Sequence, residues 1–178
     1  MTDEDKYIAR KEVDKVHDQR RERQLQALRE EERSKIAVAL NTSEDVAAEA
    51  LELGFDAVTA SVLPLIPLIQ VAWVDGKLTE DESKKVLEFA KARNIVAPEA
   101  MEFLAMMLAT RPSEVFFERT DRVIQHIISQ DPLNESTSDI LEMATAVAEA
   151  SGGFFGLKNP VGQEEKALLS ELADLFKR

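Results

Sequence analysis

Between Ala57 and Val74 the chain runs for 18 residues without a charge, AVTASVLPLIPLIQVAWV. A stretch of that length sits at the lower limit for a helix that crosses a bilayer, so it belongs either in lipid or at the centre of a core. Pro64 and Pro67 interrupt the run and Gln70 lies inside it. Every later segment is amphipathic and needs an apolar partner to cover. These features predict a buried central helix beginning near Pro64, preceded by a helical turn or two, rather than a membrane span.

The uncharged run passes into QVAWVDGKLTEDE, residues 70–82. Asp75-Gly76 reads as a tight corner, and Thr79 with Glu82 three residues later reads as a capping box. Upstream, Asn41-Thr42-Ser43-Glu44 offers caps for a helix that Gly54 can end in the left-handed conformation. Downstream, Val86, Phe89 and Ala90 share a helical face, and Pro98 opens the next helix with Met101, Leu104, Ala105 and Leu108 as its stripe. Ser113 precedes a helix that turns Phe116, Val123, Ile124, Ile127 and Ile128 inward. Ser136 or Ser138 caps another, bearing Ile140, Ala144, Val147 and Ala148. The last helix, from about Gln163, aligns Leu168, Leu172, Leu175 and Phe176. Met101, Met106, Met107 and Met143 read as core filler. Nothing alternates with period two over a useful length, so the fold class expected is all-α.

Residues 1–35 differ from the rest. They contain no Gly or Pro and hold 10 Lys and Arg against 10 Asp and Glu, so of the chain's 22 basic and 34 acidic residues, 12 and 24 fall in 36–178. The expectation is a charged N-terminal helix over 1–35, possible docking element for a protein partner, and a helical domain over 36–178 that carries the whole net charge of −12. Ala9, Val13 and Val16 begin an apolar seam, but Arg20 and Arg23 occupy its next positions, which argues against a long coiled coil. So negative a domain repels nucleic-acid phosphates and acidic headgroups. The polar start MTDEDKY lacks the pattern of a secretory signal, and with no cysteine in the chain a cytoplasmic location is expected.

Two segments match one another. Val71-Ala72-Trp73-Val74-Asp75-Gly76 aligns with Val147-Ala148-Glu149-Ala150-Ser151-Gly152, and Leu78-Thr79-Glu80-Asp81-Glu82 aligns with Val161-Gly162-Gln163-Glu164-Glu165. Each copy is an apolar helix, a small-residue corner and an acidic helix start, and two such units would cover each other's apolar faces in a bundle. In VAWVDGKLTEDE at 71–82 and VAEASGGFFGLKNPVGQEEKALL at 147–169 the chain resembles the TerB-like domains named for tellurite resistance, over roughly residues 43–177. The resemblance implies an all-helical, non-enzymatic domain with an acidic surface, linked to stress resistance and to metal binding by its acidic residues. Asp75 and Glu82 fall on the family's Asp-Gly and downstream Glu; Glu165 matches in the second copy, where Ser151 replaces the corner Asp.

A divalent cation such as calcium or magnesium would need an oxygen cluster, and the candidate ligands are Asp75, Glu82, Glu149 and Glu165. A standard calcium loop does not fit, because Val71 and Trp73 would stand at its first two ligand positions. For catalysis the case is thin: His17 lies in the polar N-terminal helix and His126 on a polar face with Arg119 and Arg122. Glycines 152, 153 and 156 follow a helix rather than precede one, unlike a phosphate loop. Phe154 and Phe155 read as anchors of that loop. The function expected is a non-enzymatic stress-response or scaffold domain, with a pure interaction module docking a partner through the N-terminal helix as the alternative.

Overall fold

The computed structural model describes residues 2–130, 137–150 and 161–177. Its secondary structure is helical throughout, with no strand among the described residues. Eight α-helices follow in order: α1 Asp3–Leu40, α2 Glu44–Glu52, α3 Ile66–Ala72, α4 Glu80–Ala92, α5 Pro98–Ala109, α6 Glu114–Gln130, α7 Thr137–Ala150 and α8 Gln163–Phe176. A 3-10 segment, Thr59–Leu65, leads directly into α3. Pro67 sits in the first turn of α3, where its missing N–H has no intrahelical acceptor to lose.

The uncharged run is the core, as its composition predicts. Ala60, Val62, Leu63, Leu65, Ile66, Leu68, Ile69 and Val71 are all fully buried. Helix α3 packs against α6, α7 and α8, and α4 packs against α7 as well, so the two sequence-related units do lie against one another. No described helix is long and apolar enough to cross a membrane.

The helix boundaries follow local chemistry. Ser43 caps α2 by accepting the Val46 N–H. Gly54, at φ +93°, closes that helix, and Phe55 N–H reaches back to the Ala50 carbonyl. Asn41 and Asn94 take left-handed conformations after α1 and α4, a role their short polar side chains tolerate. Asp56 accepts the Val58 and Thr59 N–H groups and so starts the 3-10 segment.

Several inward faces differ from expectation. On α5, Ala105 is exposed while Ala100 and Met107 are buried with Leu104 and Leu108, so the stripe drifts round the helix. Met106, read as core filler, is 57% exposed. On α6 it is Phe117 that is fully buried, with Phe116 partly so. Phe55 holds this end together: its ring meets Phe103 edge-on at 5.2 Å and stacks on Phe116 at 6.1 Å. Ser138 lies inside α7 rather than at its cap. Ser136 and the loop with Phe154 and Phe155 lie outside the described residues.

Helix α1 does not stop at residue 35 but continues to Leu40. Its last turns carry Ile36, fully buried, and the partly buried Ala37 and Leu40, all packed on the core. Their burial against α2 and the 3-10 segment extends the helix past its polar stretch.

Candidate functional site

Three features could serve a function: the projecting part of α1, the acidic starts of α4 and α8, and a polar pair within the core.

The whole of α1 is 38 residues, about 57 Å long at helical rise. Its C-terminal turns are fastened to the body. Glu32 accepts the Ala57 N–H at 2.8 Å, Arg33 Nε and Ser34 Oγ donate to Glu44 at 2.6 and 2.8 Å, and Ile36 fills the core. Beyond the corner, Thr42 Oγ1 donates to Gln130 Oε1 at 2.9 Å. Upstream the picture reverses, for every residue from Arg10 to Glu31 is exposed. Tyr7, Ile8, Val13, Val16, Leu25 and Leu28 are each about half exposed or more. The stretch depends on local contacts, such as Lys11 over the Tyr7 ring and Gln26 donating to Glu30. Such pairs contribute only a few tenths of a kcal/mol each, and an isolated polar helix is marginal in water. An outer covering surface would stabilise it.

The second feature is built by the repeat. Glu82, on the first turn of α4, is 2% exposed. Its Oε2 accepts both the Thr79 N–H and the Thr79 hydroxyl at 2.7 Å, while its own N–H donates to Thr79 Oγ1 at 3.2 Å. Glu165 occupies the same place on α8, is 8% exposed and accepts the Gly162 N–H. Only the return half of the box exists there, since Gly162 has no hydroxyl to offer. Asp75 is exposed and accepts the Lys77 N–H, which makes the corner. Gly76 follows at φ +81°, a conformation that suits glycine.

Glu82 feels the other two carboxylates. Burial pushes the Glu82 carboxyl above its ordinary range, the Thr79 hydrogen bonds oppose this, and the charges of Glu165 and Asp75 push it further up. The structure thus brings Asp75, Glu82 and Glu165 within electrostatic reach. Glu149 is separate: it is exposed and lines a shallow cleft with Ser138, Glu142 and Thr145 on α7. Among the described residues no three acidic or imidazole side chains gather closely enough to hold a metal ion. The Glu82 oxygen that faces its own helix start is engaged by the cap. Trp73, on the would-be calcium loop, instead donates its indole N–H to the Met107 carbonyl at 3.0 Å and ties the corner to α5. His17 and His126 are both exposed.

The third feature was not anticipated from the sequence. Asp121 of α6 is 5% exposed, and it faces Gln70 of α3. Residues 117, 120, 121, 124 and 128 form one helical stripe, and all are buried. A charge on an otherwise apolar stripe was the signal that could have revealed it.

No protein-family model, no curated protein and no solved structure matches the chain.

Proposed function

We propose that this protein is a non-enzymatic scaffold whose acidic helical body holds out the N-terminal part of α1 as a docking arm for a protein partner. One observation carries the reading: every residue from Arg10 to Leu25 is exposed, whereas Gln26, Arg29, Glu30 and Arg33 line a groove with Ala48, Leu51 and Glu52 of α2, and the last turns to Leu40 are anchored by polar contacts and a buried Ile36. Amphipathic helices laid into a groove are a common mode of protein recognition, with apolar anchors three, four or seven residues apart. Val13 and Val16, and Leu25 and Leu28, have the three-residue spacing. The body's negative charge disfavours nucleic acid as that partner. A role in stress resistance accords with the resemblance to TerB-like domains, and a cytoplasmic location with the polar start and the absence of cysteine.

The test is site-specific photo-crosslinking in cells. Probes at Val13 or Val16 should trap a discrete heteromeric adduct, and a probe at the exposed Glu99 of α5 should not. An adduct formed from Glu99 but from no position on α1 would reject the arm.

A second reading has its own support. Glu165 and Asp75 both act electrostatically on Glu82, and although no three acidic side chains gather closely enough for a metal ion among the described residues, a divalent cation such as calcium or magnesium drawing them together would relieve that repulsion. Calorimetric titration with calcium, magnesium and manganese tests it: heat that disappears in Glu82→Gln supports a cation, and no heat at millimolar ion eliminates it.

A further inference from the structure

Where α3, α6 and α8 meet, two buried polar side chains face each other with mismatched atoms. Asp121 Oδ1 and Gln70 Oε1 are both buried and both lack a hydrogen-bond partner. The Gln70 side chain lies close enough to the Asp121 carboxyl to act on it through its amide. A carboxylate has only acceptors, and so has the amide oxygen. As a carboxylate, Asp121 therefore leaves both orphan atoms unsatisfied in a site where a missing partner is costly.

One proton corrects both. On Oδ1 it turns an acceptor into a donor that Gln70 Oε1 can accept, and the amide N–H can then serve the other carboxyl oxygen. The result is a closed acid-amide ring with two hydrogen bonds.

The surroundings favour the neutral form. The charges acting on Asp121 are Glu171 of α8 and Glu118, one turn back on α6, both negative. Helix α3 and the 3-10 segment, which also pack on α6, contain no charged residue. From α2 the charge facing α6 is Glu52, which is paired with Arg119 at 2.9 Å. Gln125 of α6 spends its amide on the Leu175 carbonyl of α8 at 3.0 Å, so it does not supply the missing donor.

We propose that Asp121 is a proton-binding site built into the α3, α6 and α8 junction, held in the folded protein as the neutral acid with its O–H donated to Gln70 Oε1, so that losing this proton loosens the junction. Burial, reinforced by Glu171 and Glu118 and opposed by Gln70, pushes the Asp121 carboxyl up to about 7. In the unfolded chain the same group titrates at about 4. Between those values the folded state binds more protons than the unfolded one, so stability falls as pH rises through the interval and levels off above it. The device therefore works between about pH 4 and pH 7, and the protonated form is the tighter one.

Two measurements on the full chain test this. In the first, the 13C resonance of the Asp121 carboxyl, assigned through backbone connectivity, is followed against pH in the wild-type protein. A midpoint between about 6 and 8 is expected, and a midpoint at the ordinary aspartate value of about 4 overturns the proposal. In the second, melting temperatures of wild type and Asp121→Asn are compared from pH 5 to pH 8.5. Asparagine reproduces the neutral acid's donor and acceptor, so its pair with Gln70 persists without a proton. Wild type should lose about 5 °C or more relative to Asp121→Asn as pH rises. Glu82 contributes a slope of the same sign to both proteins, and the difference between them isolates Asp121. Equal slopes in the two proteins overturn the proposal, and if the variant does not fold the carboxyl titration still decides.

Discussion

Replacing Glu82 separates its two conceivable roles. As a cap, the side chain supplies acceptor oxygen to the Thr79 N–H and hydroxyl, each at 2.7 Å. Such contacts at helix starts contribute about 0.5–2 kcal/mol. Against them stands the cost of keeping a charge that is 2% exposed and repelled by Glu165 and Asp75. Glu82→Gln keeps an acceptor and removes the charge, exchanging a stronger charge-assisted bond for relief from desolvation and repulsion. The two changes oppose, so the variant should lie within about 1 kcal/mol of wild type at pH 7, or about 2–4 °C in melting temperature for a chain of this size. Glu82→Ala keeps nothing and should cost about 1–2 kcal/mol. The folded-state carboxyl is raised, so ionised Glu82 lowers stability as pH climbs through its folded value, and Glu82→Gln should flatten that part of the profile. Thermal unfolding by circular dichroism between pH 4 and 8 reads both effects. Equal and large losses for the Gln and Ala variants at pH 7 would refute the capping account and mean that the negative charge itself is required.

Other outcomes follow from the packing. Ile36→Ala should cost about 2–4 kcal/mol and speed amide hydrogen exchange over residues 33–40, because Ile36 is the one fully buried side chain among the described side chains of α1. Trp73→Phe leaves the Met107 carbonyl without its indole donor and should lower stability by about 1 kcal/mol in urea unfolding. Gly76→Ala meets open space but must hold φ +81°; a loss of about 1 kcal/mol in the same assay is expected from backbone strain alone.

What the sequence made legible was whatever depends on near neighbours. The Thr79 and Glu82 box, the Ser43 cap, the left-handed Gly54 and the proline that opens α5 all involve residues within four positions of each other, whereas α3 begins at Ile66, with Pro67 in its first turn and Pro64 left in the 3-10 segment. The uncharged run was legible because eighteen residues without charge leave few places to go. Properties set by distant partners were not. Helix α1 outruns its polar composition because α2 covers Ile36, and Met107 replaces Ala105 inside because of how α5 is rolled on its neighbours. Asp121 escaped notice as one more acid in an acidic chain, although its position on the α6 stripe beside Ile124 placed it inward. Of the four carboxylates considered together, Glu82 and Glu165 share equivalent helix starts with Asp75 nearby. Glu149 lies on the outer face of α7, since half a helical turn redirects a side chain by roughly 180°.

The docking arm can be examined without knowing its partner, by small-angle X-ray scattering of the chromatographically isolated monomer. A compact chain of 178 residues has a radius of gyration of about 16 Å. With α1 standing clear of the body as a rod as far as about Leu25, the full chain should give about 19 Å. Deleting residues 1–24 should return it to about 15 Å without changing the melting temperature. A full-length value near 16 Å, or a truncated chain that melts several degrees lower, would mean that α1 folds back onto the body and would contradict the account.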